Sequence, residues 1–238
     1  MPTYLSPGIY TRETDFSFYV KQISTSSAAM VGVAEKGPIN KPVLVTSWEQ
    51  FINRFGSYIN ESYLAYAARA FFDNGGSVLY VTRIAHLTDP TDRDTLTALK
   101  SSIVLQNREA TPADALRIEA VNEGVWGDRL SISIEDGSLD PANHFNLVVR
   151  HKGDVVEVFK DLSMDETLPN HVELAINDRS DFILVQDLAA VSGTPGDRPA
   201  LGVFTLTGGD NGLTDLADAD FIGDPSQHTG LYGFDEID

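Results

Sequence analysis

Cysteine is absent from the 238 residues. That excludes a disulfide framework and any thiolate metal site, and nothing calls for an oxidising compartment. Long apolar stretches are missing too. The longest, Ala28-Ala29-Met30-Val31-Gly32-Val33-Ala34, falls far short of the ~20 residues that cross a bilayer as a helix. Met1-Pro2-Thr3-Tyr4 opens no basic segment followed by an apolar run, so no signal peptide is expected. The chain reads as soluble and cytoplasmic when made. Positive charge is scarce: 17 Lys and Arg stand against 35 Asp and Glu, a net of −18. A field of that sign repels phosphate backbones and argues against sequence-independent binding of DNA or RNA.

Signatures of catalysis are missing as well. There is no P-loop, no Gly-x-Gly-x-x-Gly and no Gly-x-Ser-x-Gly. His86, His144, His151, His171 and His228 include no pair at i, i+4, so the helical zinc pattern is absent. His171-Val172-Glu173 reads as a solvated first helical turn rather than a site. Asp210, Asp215, Asp218 and Asp220 could gather a calcium ion, but their order lacks the EF-hand glycine and terminal glutamate. They read instead as a solvated acidic loop. Asp128-Arg129 and Asp178-Arg179 place opposite charges side by side, which reads as backbone-positioning ion pairs. The expectation is therefore no catalytic residue, no metal and no cofactor.

What is present is 42% hydrophobic and 22% charged, ordinary globular composition in a chain long enough for a real core. Charge is uneven. Residues 1–90 carry 7 basic and 7 acidic side chains, residues 91–180 carry 9 and 17, and residues 181–238 carry 1 and 11. Solubility is the plain reading of the acidic part.

The first 23 residues read as an arm. Pro2 and Pro7 stiffen it, and Gly8-Ile9-Tyr10-Thr11-Arg12-Glu13-Thr14 is a short run of β-formers with no local partner. The apolar run from Ala28 predicts a strand buried on both faces, and Gly37-Pro38 a turn. Val43-Leu44-Val45 is a second strand. Ser47 and Gln50 form a capping box for a helix whose stripe is Trp48, Phe51, Ile52 and Phe55, ended by Gly56. Leu64, Ala67, Ala68 and Phe71 mark a second helix, and residues 77–84 a buried strand. Strand, helices, strand suggests a crossover unit with parallel strands.

Residues 88–115 read as polar and irregular. Beyond them the period becomes two: Leu116, Ile118, Ala120; Leu130, Ile132, Ile134; Phe145, Leu147, Val149. Those predict half-buried antiparallel strands. Asn170 and Glu173 predict caps for a short helix with Val172, Ala175 and Ile176. Residues 182–185 and 201–206 add strands, and residues 215–221 a short helix. The fold class is α/β plus a mostly-β insertion, with an unfinished α/β core that lacks a partner.

Several segments, in order, resemble the tail sheath proteins of contractile phage tails and related injection machines. Tyr4-Leu5-Ser6-Pro7-Gly8-Ile9-Tyr10 resembles that family's Ser-Pro-Gly-Val-Tyr arm. Ser24-Thr25-Ser26-Ser27-Ala28-Ala29-Met30-Val31-Gly32 with Glu35-Lys36-Gly37-Pro38 resembles its first core strand and turn. Val43-Leu44-Val45-Thr46-Ser47-Trp48-Glu49-Gln50-Phe51 and Arg54-Phe55-Gly56 resemble its first helix. Phe71-Phe72-Asp73-Asn74-Gly75-Gly76 running into Tyr80-Val81-Thr82-Arg83 resembles the helix-to-strand joint. Glu123-Gly124-Val125-Trp126-Gly127-Asp128-Arg129-Leu130, Phe159-Lys160-Asp161-Leu162-Ser163-Met164, Leu206-Thr207-Gly208-Gly209 and Thr229-Gly230-Leu231-Tyr232 continue the likeness.

The resemblance implies a division into an arm exchanged with a neighbouring subunit (1–23), the first part of a subtilisin-like α/β core (24–90), an inserted, outward-lying β domain (91–205) and a return segment (206–238). Family members usually continue further, so the chain is expected to be the N-terminal portion of a subunit. The resemblance also implies a structural role without enzyme activity: a helical homo-polymer around a tail tube that contracts to drive the tube through the target cell envelope. Gly8, Ile9, Tyr10, Thr11, Arg12 and Glu13 would be the exchanged strand. Implied partners are other copies, the tail tube protein, and baseplate and tail terminator proteins, with neither nucleic acid nor membrane insertion. The location would be the virion tail or an injection-machine sheath, assembled in the host bacterial cytoplasm. The competing reading is a tail accessory or adhesion binding module without a contractile role. A hydrolase finds no Ser/His/Asp arrangement in support.

Overall fold

A computed structural model describes residues 26–86, 97–188 and 197–237. The arm, including Gly8 to Glu13, lies outside the described residues. Two hydrophobic clusters form, one in each half of the chain.

The first half carries β1 (Ser27–Gly32), β2 (Val43–Val45), helices α1 (Trp48–Phe55) and α2 (Leu64–Asp73), and β3 (Val78–Arg83). Sheet order is β1-β3-β2. β1 runs parallel to β3, with Ser27 opposite Val78, as the crossover predicts. β2 runs antiparallel to β3, with Val45 opposite Leu79, and corrects the all-parallel expectation. Two consecutive helices carry the chain out and back, so β3 starts where β2 finished. β1 is also not buried on both faces: Ser27 and Ala29, which share one face of the strand, are exposed.

Helix α1 forms as its capping residues predict, with one change. Ser47 Oγ accepts from Gln50 N at 3.2 Å, but Gln50 Oε1 accepts from Thr46 N at 2.9 Å rather than from Ser47 N. Phe51 and Phe55 enter the core with Val45, Leu64, Ala68, Leu79 and Val81.

The second half begins with β4 (Ala98–Leu99) and β5 (Ser102–Gln106), where irregular chain was expected. The alternation of Ile103 and Leu105 is only two residues long, too short to stand out. Then follow β6 (Asp114–Ala120), a 3₁₀ helix (Val125–Arg129), β7 (Leu130–Asp136), β8 (Phe145–His151), β9 (Asp154–Leu162), α3 (Val172–Ile176), β10 (Ile183–Asp187), β11 (Gly202–Thr205) and β12 (Asp210–Asn211). Sheets β10-β6-β5 and β11-β7-β8-β9 are antiparallel throughout. Their alternating apolar residues form one shared core: Leu116, Ile118 and Ala120 with Ile132, Ile134, Leu147 and Val149. This is a sandwich of two sheets.

Helix α3 is capped otherwise than expected. His171 precedes it and donates no side-chain cap. Asn170 Nδ2 donates to Asp161 O at 2.5 Å, and Glu173 Oε1 accepts from Asp187 N at 2.7 Å. Both side chains tie the helix to other strands instead. The chain ends with α4 (Asp218–Ile222), three residues later than the predicted start, and a 3₁₀ helix (Gly230–Glu236) that packs against β1 and β3. No helix among the described residues is long and apolar enough to cross a membrane.

Candidate functional site at the junction of the two halves

Four of the quoted segments, far apart in sequence, meet between the halves. They are Glu35-Lys36-Gly37-Pro38, the end of β3, residues 123–130 and the turn at Gly208-Gly209. The connection is polar and buried.

Arg83 closes β3 and is fully buried. Its Nη1 donates to Gly37 O and to Glu123 O, both at 2.9 Å. One guanidinium thus joins a loop of the first half to a loop of the second. Nε and Nη2 have no hydrogen-bond partner. Burial pulls its pKa well below the usual guanidinium range, down to about 10, opposed by Glu123. The group still carries its charge at neutral pH.

Glu35 makes a second tie. Oε1 accepts from Arg129 Nη1 at 2.7 Å and Oε2 from Ser57 N at 3.0 Å. Asp128 and Arg129 therefore do not pair with one another as expected. Asp128 Oδ1 accepts from Ser101 Oγ at 2.8 Å and Gly209 N at 3.0 Å. Adjacent side chains on a tight 3₁₀ turn point to different neighbours. Gly209 is required by space: a Cβ there would collide with Ser101 Oγ and the Gly124 carbonyl. Gly56 sits at φ 83° against Glu35, where a side chain would be both strained and crowded.

Trp126 is the largest buried side chain at the junction, 1% exposed. The Lys36 ammonium lies 5.4 Å from its ring centroid and 5.3 Å from that of Phe182. Burial lowers the Lys36 pKa, while Glu35 and Asp181 act in the opposite sense. Val125 N donates to Asn211 Oδ1 at 3.0 Å and Gly124 N to Leu99 O at 2.9 Å. Beside this contact lies a groove of about 820 Å³ lined from both halves.

The other predicted sites disperse. His171 is not solvated: it is buried, with Nε2 3.2 Å from Asp187 Oδ2. Asp187 on β10 brings a carboxylate to it that no local pattern reveals. Asp220 faces His86 Nδ1 at 3.1 Å and Asp210 accepts from Gly212 N at 2.8 Å. No group of three His, Asp or Glu poised for a metal ion exists among the described residues. The sequence reading missed the roles of Arg83 and Lys36. The available signals were an arginine ending an apolar strand and a lysine ahead of a Gly-Pro turn.

What this arrangement defines is a two-part chain, an α/β layer locked to a β-sandwich. Residues 25–84 match the family model described as the tail sheath protein Gp18 domain III N-terminal region. The tail sheath protein of Vibrio phage KVP40 is 28% identical over 220 residues, 90% of this chain and 27% of that protein. The sheath tail protein Lin1278 of Listeria innocua shares the fold at TM-score 0.51 and 13% identity, over 77% of this chain and 34% of that one. The sheath tail protein DSY3957 of Desulfitobacterium hafniense aligns at TM-score 0.49 and 14% identity, over 86% and 39%. Over these segments the chain is similar to phage tail sheath proteins. It spans about a quarter of the curated relative it matches.

Proposed function

We propose that the chain forms part of a sheath subunit that polymerises around a tail tube and contracts to drive the tube through the target cell envelope. The observation that carries this reading is the position of the family match. Residues 25–84 coincide with β1, β2, β3 and both helices. No further strand pairs with the outer edges of β1 or β2 among the described residues. Open edges of this kind are templates for strands from another chain.

In this reading residues 1–23 are an arm exchanged between copies, and Gly8, Ile9, Tyr10, Thr11, Arg12 and Glu13 add a strand to a neighbour. Residues 24–90 open a subtilisin-like core, residues 91–205 form the outer domain and residues 206–238 return to the core. Contraction is a switch between two packings of rigid bodies, without chemistry. The tube, baseplate and terminator proteins are the remaining partners. Assembly takes place in the host cytoplasm.

The test is deletion of residues 1–14 from the complete subunit. A folded subunit that no longer builds a connected sheath in electron micrographs is expected. Sheaths that still assemble and contract intact would refute the arm's role. Antibody to residues 91–205 should decorate the outside of the tail along its length. Label confined to a tip would favour an accessory protein.

A further inference from the structure

We propose that the groove between the two halves docks the acidic turn around Asp215 and Asp218 of a second copy. The groove places two cations, Lys36 and Arg54, beside Asn53 and the half-exposed Leu44, with Asp181 as its one acid. Neither cationic side chain has a hydrogen bond or ion pair to an oxygen among the described residues. Lys36 lies against the faces of Trp126 and Phe182, and burial lowers its pKa although Glu35 and Asp181 act in the opposite sense. On a chain with a net charge of −18, this is a local reversal of the field.

The complement lies on the same chain, in another place. Asp215 and Asp218 are exposed, and Asp215 holds a left-handed turn at φ 61°. Helix α4, which begins at Asp218, buries none of its residues, and Ile222 is 53% exposed. Two acids and an isoleucine thus face solvent on one copy, while the groove offers the exposed Arg54 and Leu44 with the half-buried Lys36 beside them. The occupant is accordingly this turn of another copy. Such a contact is heterologous, head to tail, so each copy offers one groove and one turn and the assembly extends. This inference does not rest on arm exchange, because neither surface includes residues 1–25.

Sedimentation velocity of the whole chain tests it. Association should grow with concentration and weaken with salt. Arg54→Glu, and separately the pair Asp215→Lys and Asp218→Lys, should each weaken association by about tenfold or more. All three positions are exposed, and circular dichroism should report unchanged folding. An equimolar mixture of the two variants is the decisive sample. One retains a working turn and the other a working groove, so the mixture should recover association that neither variant shows alone. The proposal is overturned if the unmodified chain stays monomeric up to about 1 mM. It is overturned equally if Arg54→Glu associates like the parent, or if the mixture stays monomeric. Deleting residues 1–14 separates the two interfaces: association lost there but intact in Arg54→Glu refutes the groove and leaves the arm standing.

Discussion

Replacing Arg83 should unlock the two halves, by an amount that depends on what replaces it. The guanidinium gives two charge-assisted bonds, to Gly37 O and Glu123 O. Hydrogen bonds to charged groups contribute about 1.5–3 kcal/mol each, so Arg83→Ala forfeits about 3–6 kcal/mol. The lost stem adds about 1–2 kcal/mol of packing. Against this stands the burial of the charge. The lowering of its pKa to about 10 corresponds to about 3 kcal/mol that removal of the charge recovers. The net cost of Arg83→Ala is then about 1–5 kcal/mol. Arg83→Met keeps the stem, loses the bonds and recovers the burial cost, so it should cost only about 0–3 kcal/mol, less than Ala by the packing of the stem. Urea unfolding in a Trp48→Phe background reads this directly, because Trp126 then reports from the junction. If Arg83→Ala lies within about 0.5 kcal/mol of the parent, the lock does not hold the halves together. If Met costs more than Ala, the packing assigned to the stem is wrong.

Two further outcomes follow from the same geometry. Gly209→Ala should lower the melting temperature markedly, about 1–3 kcal/mol of destabilisation, because Ser101 and the Gly124 backbone leave no room; an unchanged melting curve would refute the close approach. His151, whose pKa burial lowers with help from Lys152 and Lys36, binds its proton less well folded than unfolded. Stability from this group is therefore present above its ordinary pKa near 6.5 and lost as pH falls below it. His151→Gln should flatten the fall in urea midpoint between about pH 7 and 5, and an undiminished slope would show that other groups set it.

The elements with strong local signals were legible from the sequence. Helix α1 has its stripe and its cap within nine residues, and the strands β7 and β8 repeat a period of two against a shared core. Glycines at turns marked the ends. What was missed had weak local signals: β4 and β5 are short, and β2 takes its direction from the path of the chain through two helices. Ion pairs were least legible. Asp128-Arg129 invited a pairing of neighbours, yet each side chain binds a residue at least 27 positions away.

The amino-acid sequence by itself determined the two halves, the alternation that buries one face of each sandwich strand, and the likeness to tail sheath proteins. These depend on spacing along the chain, which local sterics and hydrophobic burial read directly. Only the tertiary structure decided that Arg83 is the buried tie, that His171 is shielded beside Asp187, and that Lys36 faces two aromatic rings across a groove. Each of these depends on groups brought together from distant positions. A charge is costly or favourable according to the neighbours that replace its water, and no local pattern names those neighbours.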